Sequence, residues 1–344
     1  MPEGSLVTEL AQMTVLSIVV PCYNEQEALP ETSRQLLALR SRLVAAGKID
    51  DHSRVVFVDD GSRDRTWPMI EEYAASGLPV VGVKLSRNRG HQNALLAGLF
   101  AARGDAIVSV DADLQDDIDA IEAMVDHYRQ GCDVVYGVRS SRAADTVFKR
   151  RTARGFYWLM ERLGAQTVRD HADYRLMSRR AIEALREYGE TNLYLRGIIP
   201  LLGFRSATVE YARQARIAGE SKYPLRRMMS LALNAITSFS VVPLRLISAI
   251  GVLVFLASLF VLAWTLWVAI FTNRAVPGWA SITLPIYFLG GIQLLSLGVI
   301  GEYLGKLYVE AKRRPRYFIE GIVDGVPSAA GAAGPGPGAL NPRS

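Results

Sequence analysis

Five strand-length apolar runs, each followed by a polar cluster and then by residues of helical character, restrict this chain more than any other feature. They lie at residues 16–21 (LSIVVP), 54–58, 80–85, 106–110 and 133–136. A strand covered on both faces reads as continuous hydrophobicity, which is the mark of a parallel sheet flanked by helices. Five alternations of strand and helix predict a doubly wound α/β domain with its ligand site beyond the carboxyl ends of the strands. Residues 25–46 and 92–102 read as the helices after the first and third strands, 146–163 as a later helix and 176–178 as a further short strand. Asn24 is placed to cap the first of them, which stops at Gly47, and Asp64 with Thr66 opens the helix after the second strand.

The fourth run leads into the densest polar cluster, IVSVDADLQD at 107–116. The alternation Asp111-Ala112-Asp113 sets two carboxylates on one side of an extended segment, with Gln115 and Asp116 close behind. Oxygen ligands at that spacing suit Mg²⁺ or Mn²⁺, which are held by one or two carboxylates together with substrate phosphates. A bare D-x-D is equally a solvated turn. Here, however, Asp59-Asp60-Gly61-Ser62 and the run 86–91 stand at neighbouring strand ends. Neither G-x-G-x-x-G nor G-x-x-x-x-G-K-[ST] occurs, so nucleotide binding has to rest on the carboxylates. His91 reads as a residue that caps or packs at a helix start.

Half of the 344 residues are hydrophobic and 21% are charged, but the apolar excess is concentrated. Residues 246–271 and 275–301 hold no Asp, Glu, Lys or Arg, and each exceeds the ~20 residues that cross a bilayer. Lys222, Arg226, Arg227 and Arg245 precede the first stretch, and Lys306, Lys312, Arg313, Arg314 and Arg316 follow the second; Arg274 alone lies between them. The positive-inside rule then predicts a multi-pass protein of the cell membrane with two spans, about 246–271 and 280–304. Both termini and the amino-terminal domain lie on the cytoplasmic side. The net charge of +5 belongs to this basic skirt facing lipid headgroups, not to a nucleic-acid surface. Residues 1–13 lack a signal-peptide pattern, so the first span is expected to direct insertion. The expected order is a flexible start at 1–13 and a catalytic domain at 14–223. An interfacial amphipathic helix at 224–242, the spans within 243–310, a basic cytoplasmic segment at 311–325 and a disordered Ala/Gly/Pro tail at 326–344 follow. Cys22 and Cys132, the only cysteines, read as reduced core residues.

Seven phrases together resemble one family: VVPCYNE (19–25), VDDGSRDRT (58–66), SRNRGHQNALLAGL (86–99), DADLQD (111–116), YGVR (136–139), DYRLMSRR (173–180) and AGESKYPLR (218–226). The chain resembles a family 2 glycosyltransferase of the polyprenyl-phosphate type, similar to bactoprenol glucosyltransferases and dolichyl-phosphate mannose synthases. GVIGEYLGKLY (298–308) fits the first branch. The resemblance implies a GT-A fold, a Rossmann-like, mostly parallel sheet with flanking helices, plus two C-terminal transmembrane helices. It implies a nucleotide-sugar donor, UDP-glucose first, held by Pro21, Tyr23, Glu25, Asp59, Asp60, Asn88 and Asp111. Asp113, with Asp111 and Gln115, would hold Mg²⁺ or Mn²⁺. Arg139, Asp173 and Arg175 would lie near the sugar, and Arg139, Lys222 and one of Arg150, Arg151 and Arg154, with Arg151 taken first, near the phosphate of a polyprenyl phosphate. A homo-oligomer, with a tetramer as the size suggested, is implied as well. Asp117-Ile118 stands where the family has two prolines.

The chemistry agrees with that resemblance. A lipid monophosphate, with a second pKa near ~6, is already largely dianionic at neutral pH and needs guiding more than deprotonation. Arginine forks supply that guidance, which makes Asp173 an orienting carboxylate first and a base second. Transfer from GDP-mannose is the alternative within the same chemistry. A processive polysaccharide synthase is disfavoured by the missing Q-x-x-R-W segment, and a non-catalytic nucleotide-sugar-binding membrane module by the intact D-x-D.

Overall fold

A computed structural model describes residues 13–139, 171–190, 195–211 and 279–325, with isolated positions between 247 and 271. The helix expected over 146–163, the amphipathic segment at 224–242, the tail, Arg151 and Lys222 lie outside the described residues. In chain order the elements are β1 (Leu16–Cys22), α1 (Leu29–Ala45), β2 (Arg54–Asp59), α2 (Thr66–Ala75), β3 (Val80–Leu85), α3 (His91–Ala101), β4 (Ala106–Ser109), α4 (Ala120–Arg129) and β5 (Val134–Arg139). There follow β6 (His171–Ser178), α5 (Arg179–Arg186), α6 (Leu195–Leu201), β7 (Ser206–Tyr211), α7 (Trp279–Ala311) and β8 (Ile319–Asp324). Two compact units result: residues 1–150, 167–222 and 315–344 form one, which holds the sheet, and residues 151–166 and 223–314 form the other, which holds α7.

One eight-stranded sheet runs β7-β5-β6-β4-β1-β2-β3-β8. The three central pairings of the expected kind are present: β1 lies parallel between β2 and β4, and β3 extends β2 in the same sense. Every residue of β1 is buried, as a continuous apolar run requires. Helix α3 lies close on this sheet because Gly98 has no side chain; a Cβ there would stand 2.4 Å from Val19 and 2.6 Å from Val58.

Three departures from the sequence pattern matter. The strand expected at 176–178 begins at His171 and enters antiparallel between β4 and β5, so the sheet is mixed. The segment expected as a basic tail contains β8, which pairs antiparallel with β3. Lys84 joins Glu320 at 2.8 Å, and the amide of Ser86 donates to the carbonyl of Phe318 at 3.0 Å. Finally, Asn24 does not cap α1. It sits in the left-handed region at φ 55°, with Ala28 at the N-cap position, and its side chain accepts the amide of Arg63 instead.

Among the described residues no helix is long and apolar enough to cross a membrane. Most of the first charge-free stretch is outside that set; the second falls within α7 from residue 279 onward, and many side chains of that helix are likewise not described.

Candidate active site

The carboxyl ends of β1 and β2 are level, and β4 ends three residues short of them. Cys22 pairs with Asp59 across β1 and β2, and Val19 pairs with Ser109 across β1 and β4. Because β2 and β4 depart to opposite sides of β1, the chain beyond these ends opens a crevice at a topological switch point. The described polar clusters at 22–26, 59–62, 86–91 and 111–116 emerge there.

On the donor side, Pro21 is buried in β1 and Tyr23 stands 43% exposed beside it. The β1 loop is laced to the β2 loop. The amide of Asn24 donates to Ser62 Oγ at 3.0 Å, the amide of Glu25 to Thr66 Oγ1 at 2.9 Å, and the amide of Gln26 to Asp64 at 3.2 Å. Asp59 is fully buried and accepts the amide of Ser62. Asp60 turns inward and takes the amides of Arg89 at 2.7 Å and Gly90 at 2.8 Å. It therefore holds the 86–90 loop, which carries the exposed Asn88. Gly61, at φ +67°, lets the two loops touch, since a Cβ would lie 2.6 Å from the backbone nitrogen of Asn88.

The acidic turn contains Leu114 at φ 46°, an uncommon conformation for a buried leucine. The turn is fixed from four directions without the two prolines. Thr32 Oγ1 donates to the Ala112 carbonyl at 2.6 Å, Tyr174 Oη to the Asp117 carbonyl at 2.8 Å, Tyr211 Oη to Asp116 at 2.6 Å, and the amide of Asp119 to Asp117 at 3.0 Å. Gln115 is buried and donates its amide nitrogen to Asp113 at 2.8 Å, so it steadies a carboxylate directly. Burial raises the Glu25 carboxyl, and the nearby Asp113, Asp64 and Asp111 raise it further. Burial likewise pushes Asp111 up to about 6, with Asp173, Asp116 and Asp113 adding to it and His91 opposing. Carboxylates that raise one another in this way fit a divalent cation, whose charge would relieve the repulsion. Among the described residues no group of three or more His, Cys, Asp or Glu side chains could hold a metal alone; Asp111 and Asp113 offer the hard oxygen donors that Mg²⁺ or Mn²⁺ takes together with phosphate oxygens.

The fourth wall comes from β6. Its antiparallel register pairs Ser109 with Arg175, and two further residues along that register bring Asp173 level with Asp111. Arg175 is 1% exposed and donates to Asp173 Oδ1 at 2.6 Å. Arg196, from α6, donates to both carboxylate oxygens at 3.2 and 3.1 Å. His91, at the start of α3, places Nε2 3.6 Å from Asp111 and 3.7 Å from Asp173. Burial pushes the Asp173 carboxyl up, but His91, Arg175 and Arg196 together hold it well below the usual carboxylate range. Arg139 closes the group from β5, donating to Asp116 at 3.3 Å and to Tyr211 Oη at 3.3 Å.

The expected donor, turn and sugar-side residues are thus gathered at one end of the sheet. Arg196, His91 and Tyr211 belong with them but were not singled out as site residues by the sequence. The available signal for Arg196 was a lone cation inside the apolar run 193–204.

The glycosyl transferase family 2 model matches residues 17–186, the span that builds β1 to β6 and α5. A glycosyltransferase of Bacillus subtilis (strain 168), YkoT, is 49% identical over 308 residues, which cover 89% of this chain and 91% of that protein. This chain is a family 2 glycosyltransferase. The transferase is also 39% identical to the bactoprenol glucosyl transferase of Shigella phage SfV, over 89% of this chain and 98% of that one. Among solved structures it is similar to the mannosyltransferase PcManGT of Pyrobaculum calidifontis, determined in complex with GDP-Man and Mn2+. That likeness has a TM-score of 0.43 and 18% identity, covering 88% of this chain and 87% of that one.

Proposed function

We propose that this transferase moves glucose from UDP-glucose to undecaprenyl phosphate, with inversion, at the cytoplasmic face of the cell membrane. The observation that carries the proposal is the state of Asp173. A carboxylate held by two guanidiniums and a histidine has little affinity for a proton, and a general base needs a pKa near the working pH. An acceptor hydroxyl would require such a base, whereas a phosphate dianion attacks without one. The cationic wall formed by Arg139, Arg175 and Arg196 suits an anionic acceptor. The names of relatives that match this chain over most of its length point the same way.

On this reading Tyr23, Glu25 and Asp59 line the donor nucleotide. Asp60 reaches it through the 86–90 loop. Asp111 and Asp113 would hold Mg²⁺ or Mn²⁺, which neutralises the departing diphosphate electrostatically. Asp173 keeps Arg175 and Arg196 in place, and Arg139 turns its fork to the incoming phosphate. The two charge-free stretches at 246–271 and 275–301, with their basic flanks, support membrane anchoring and delivery of a lipid acceptor. A homo-oligomer is proposed with them, on the resemblance alone. Full-length protein given labelled UDP-glucose, polyprenyl phosphate and Mn²⁺ should yield a chloroform-soluble labelled product. Absence of product with every common UDP- and GDP-sugar would overturn the proposal.

A further inference from the structure

The acidic turn and Arg139 are joined by a side chain to which no role in the reaction has been given. Parallel pairing of β5 with β7 sets Arg139 directly opposite Tyr211. The Tyr211 hydroxyl donates to Asp116 Oδ1 at 2.6 Å. Its oxygen accepts Arg139 Nε at 3.3 Å, and Arg139 Nη2 reaches the same Asp116 oxygen at 3.3 Å. Asp116 and Tyr211 are each 3% exposed, while the side chain of Arg139 is 36% exposed. The buried pair thus holds one edge of a guanidinium whose other edge is open to the crevice.

We propose that Tyr211 is a positioning residue for glycosyl transfer, fixing the plane of the Arg139 guanidinium against the cation-binding turn so that acceptor phosphate and donor diphosphate are held in one frame. The proposal rests on the reading of Arg139 as an acceptor-phosphate contact. Its support is in the packing as much as in the bonds. Tyr211 stands edge-on to Tyr174, with ring centroids 5.2 Å apart and planes at 83°, and Tyr174 in turn holds the Asp117 carbonyl. Gly137 makes room for both rings: a Cβ there would lie 2.7 Å from Tyr174 and 3.0 Å from Tyr211. Burial and the neighbouring Asp116 raise the Tyr211 phenol, which stays protonated and remains a donor. Without the phenol, Arg139 keeps, among the described residues, one contact at 3.3 Å to Asp116, and a single contact does not fix a planar fork. Bidentate recognition of phosphate depends on that plane.

The test is Tyr211→Phe in the full chain, with initial rates measured against both substrates. The ring and its packing survive this change, so the melting temperature should stay within a few degrees. KM for polyprenyl phosphate should rise about tenfold, the scale of one hydrogen bond to a charged group, while KM for the sugar nucleotide holds. Asp116→Asn attacks the same bond from its other end and should give the same split. Added to Arg139→Lys, Tyr211→Phe should change little, because the two act as a unit. If Arg139→Ala raises the acceptor KM and Tyr211→Phe moves neither KM, Tyr211 positions nothing and the inference fails. Equal weakening of both substrates with a large fall in melting temperature also overturns it, as a purely structural role. If Arg139→Ala leaves the acceptor KM unchanged, the reading of Arg139 fails, and the inference falls with it.

Discussion

Asp173 and Arg196 meet through two parallel contacts, Nε to Oδ1 at 3.2 Å and Nη2 to Oδ2 at 3.1 Å, while Arg175 grips Oδ1 from within the sheet at 2.6 Å. Sharing one carboxylate between a buried and a half-exposed guanidinium makes Asp173 the common anchor of both arginines.

Asp173→Asn should therefore fail mainly by disorder. Arg175 would keep its buried charge without a full counter-charge, and breaking such a pair costs about 3–5 kcal/mol. The folded-state pKa of Asp173 is depressed, so its stabilisation is complete above the unfolded value near ~4 and is lost as pH falls below that. Thermal unfolding should show a large gap between wild type and variant at neutral pH that narrows on acidification below ~4. A gap independent of pH would remove the ionic explanation.

The Asp60 carboxylate holds the 86–90 loop by two backbone amides. In Asp60→Asn one acceptor becomes an N–H facing an N–H, with a cost of about 1–3 kcal/mol. Calorimetry should find UDP affinity reduced about tenfold in the presence of Mn²⁺, with the fold intact. Unaltered affinity would mean that the loop does not support the donor.

Much of this site could be read from residues alone, for a physical reason. Strands β1 to β4 are buried on both faces, so their composition betrays them, and the polar groups at their ends stand out by contrast. The amino-terminal half of β6 was hidden because Asp173 and Arg175 look like loop residues until their mutual charge is seen. Their burial depends on partners from α3 and α6, distant in the sequence. The amide partners of Asp60 are unreadable for a similar reason: they are backbone groups, and only the close approach allowed by Gly61 brings them near. For β8 the partner strand lies over 230 residues away, as the Lys84–Glu320 pair illustrates, and a six-residue alternating run carries no label of its own.

That distant strand is open to a simple test. β8 covers the β3 edge, with Val323 against Gly82 and Gly325 donating its amide to the Val80 carbonyl at 3.0 Å. A chain ending at residue 314 would leave β3 as a bare edge, a template for intermolecular pairing. It should melt several degrees lower than the full chain and aggregate on heating, as followed by light scattering. Equal melting behaviour would show that β8 adds nothing to the catalytic unit.

Asp111 gives a prediction of opposite sign from Asp173. Burial first, then Asp173, Asp116 and Asp113, raise its carboxyl to about 6, against the pull of His91. A raised folded-state pKa favours the protonated form, so its contribution to stability is full below ~4 and is lost as pH climbs through about 6. Asp111→Asn, neutral at every pH, escapes that loss. In chelator, its melting temperature should match wild type near pH ~4 and exceed it by a few degrees at neutral pH, where Asp111 carries a charge that burial and its acidic neighbours disfavour. Mn²⁺ should reverse the order at neutral pH, since a cation bound to the folded state alone stabilises only a protein able to bind it. A variant that melts with wild type at every pH, with and without Mn²⁺, would mean that Asp111 neither suffers this repulsion nor meets the cation.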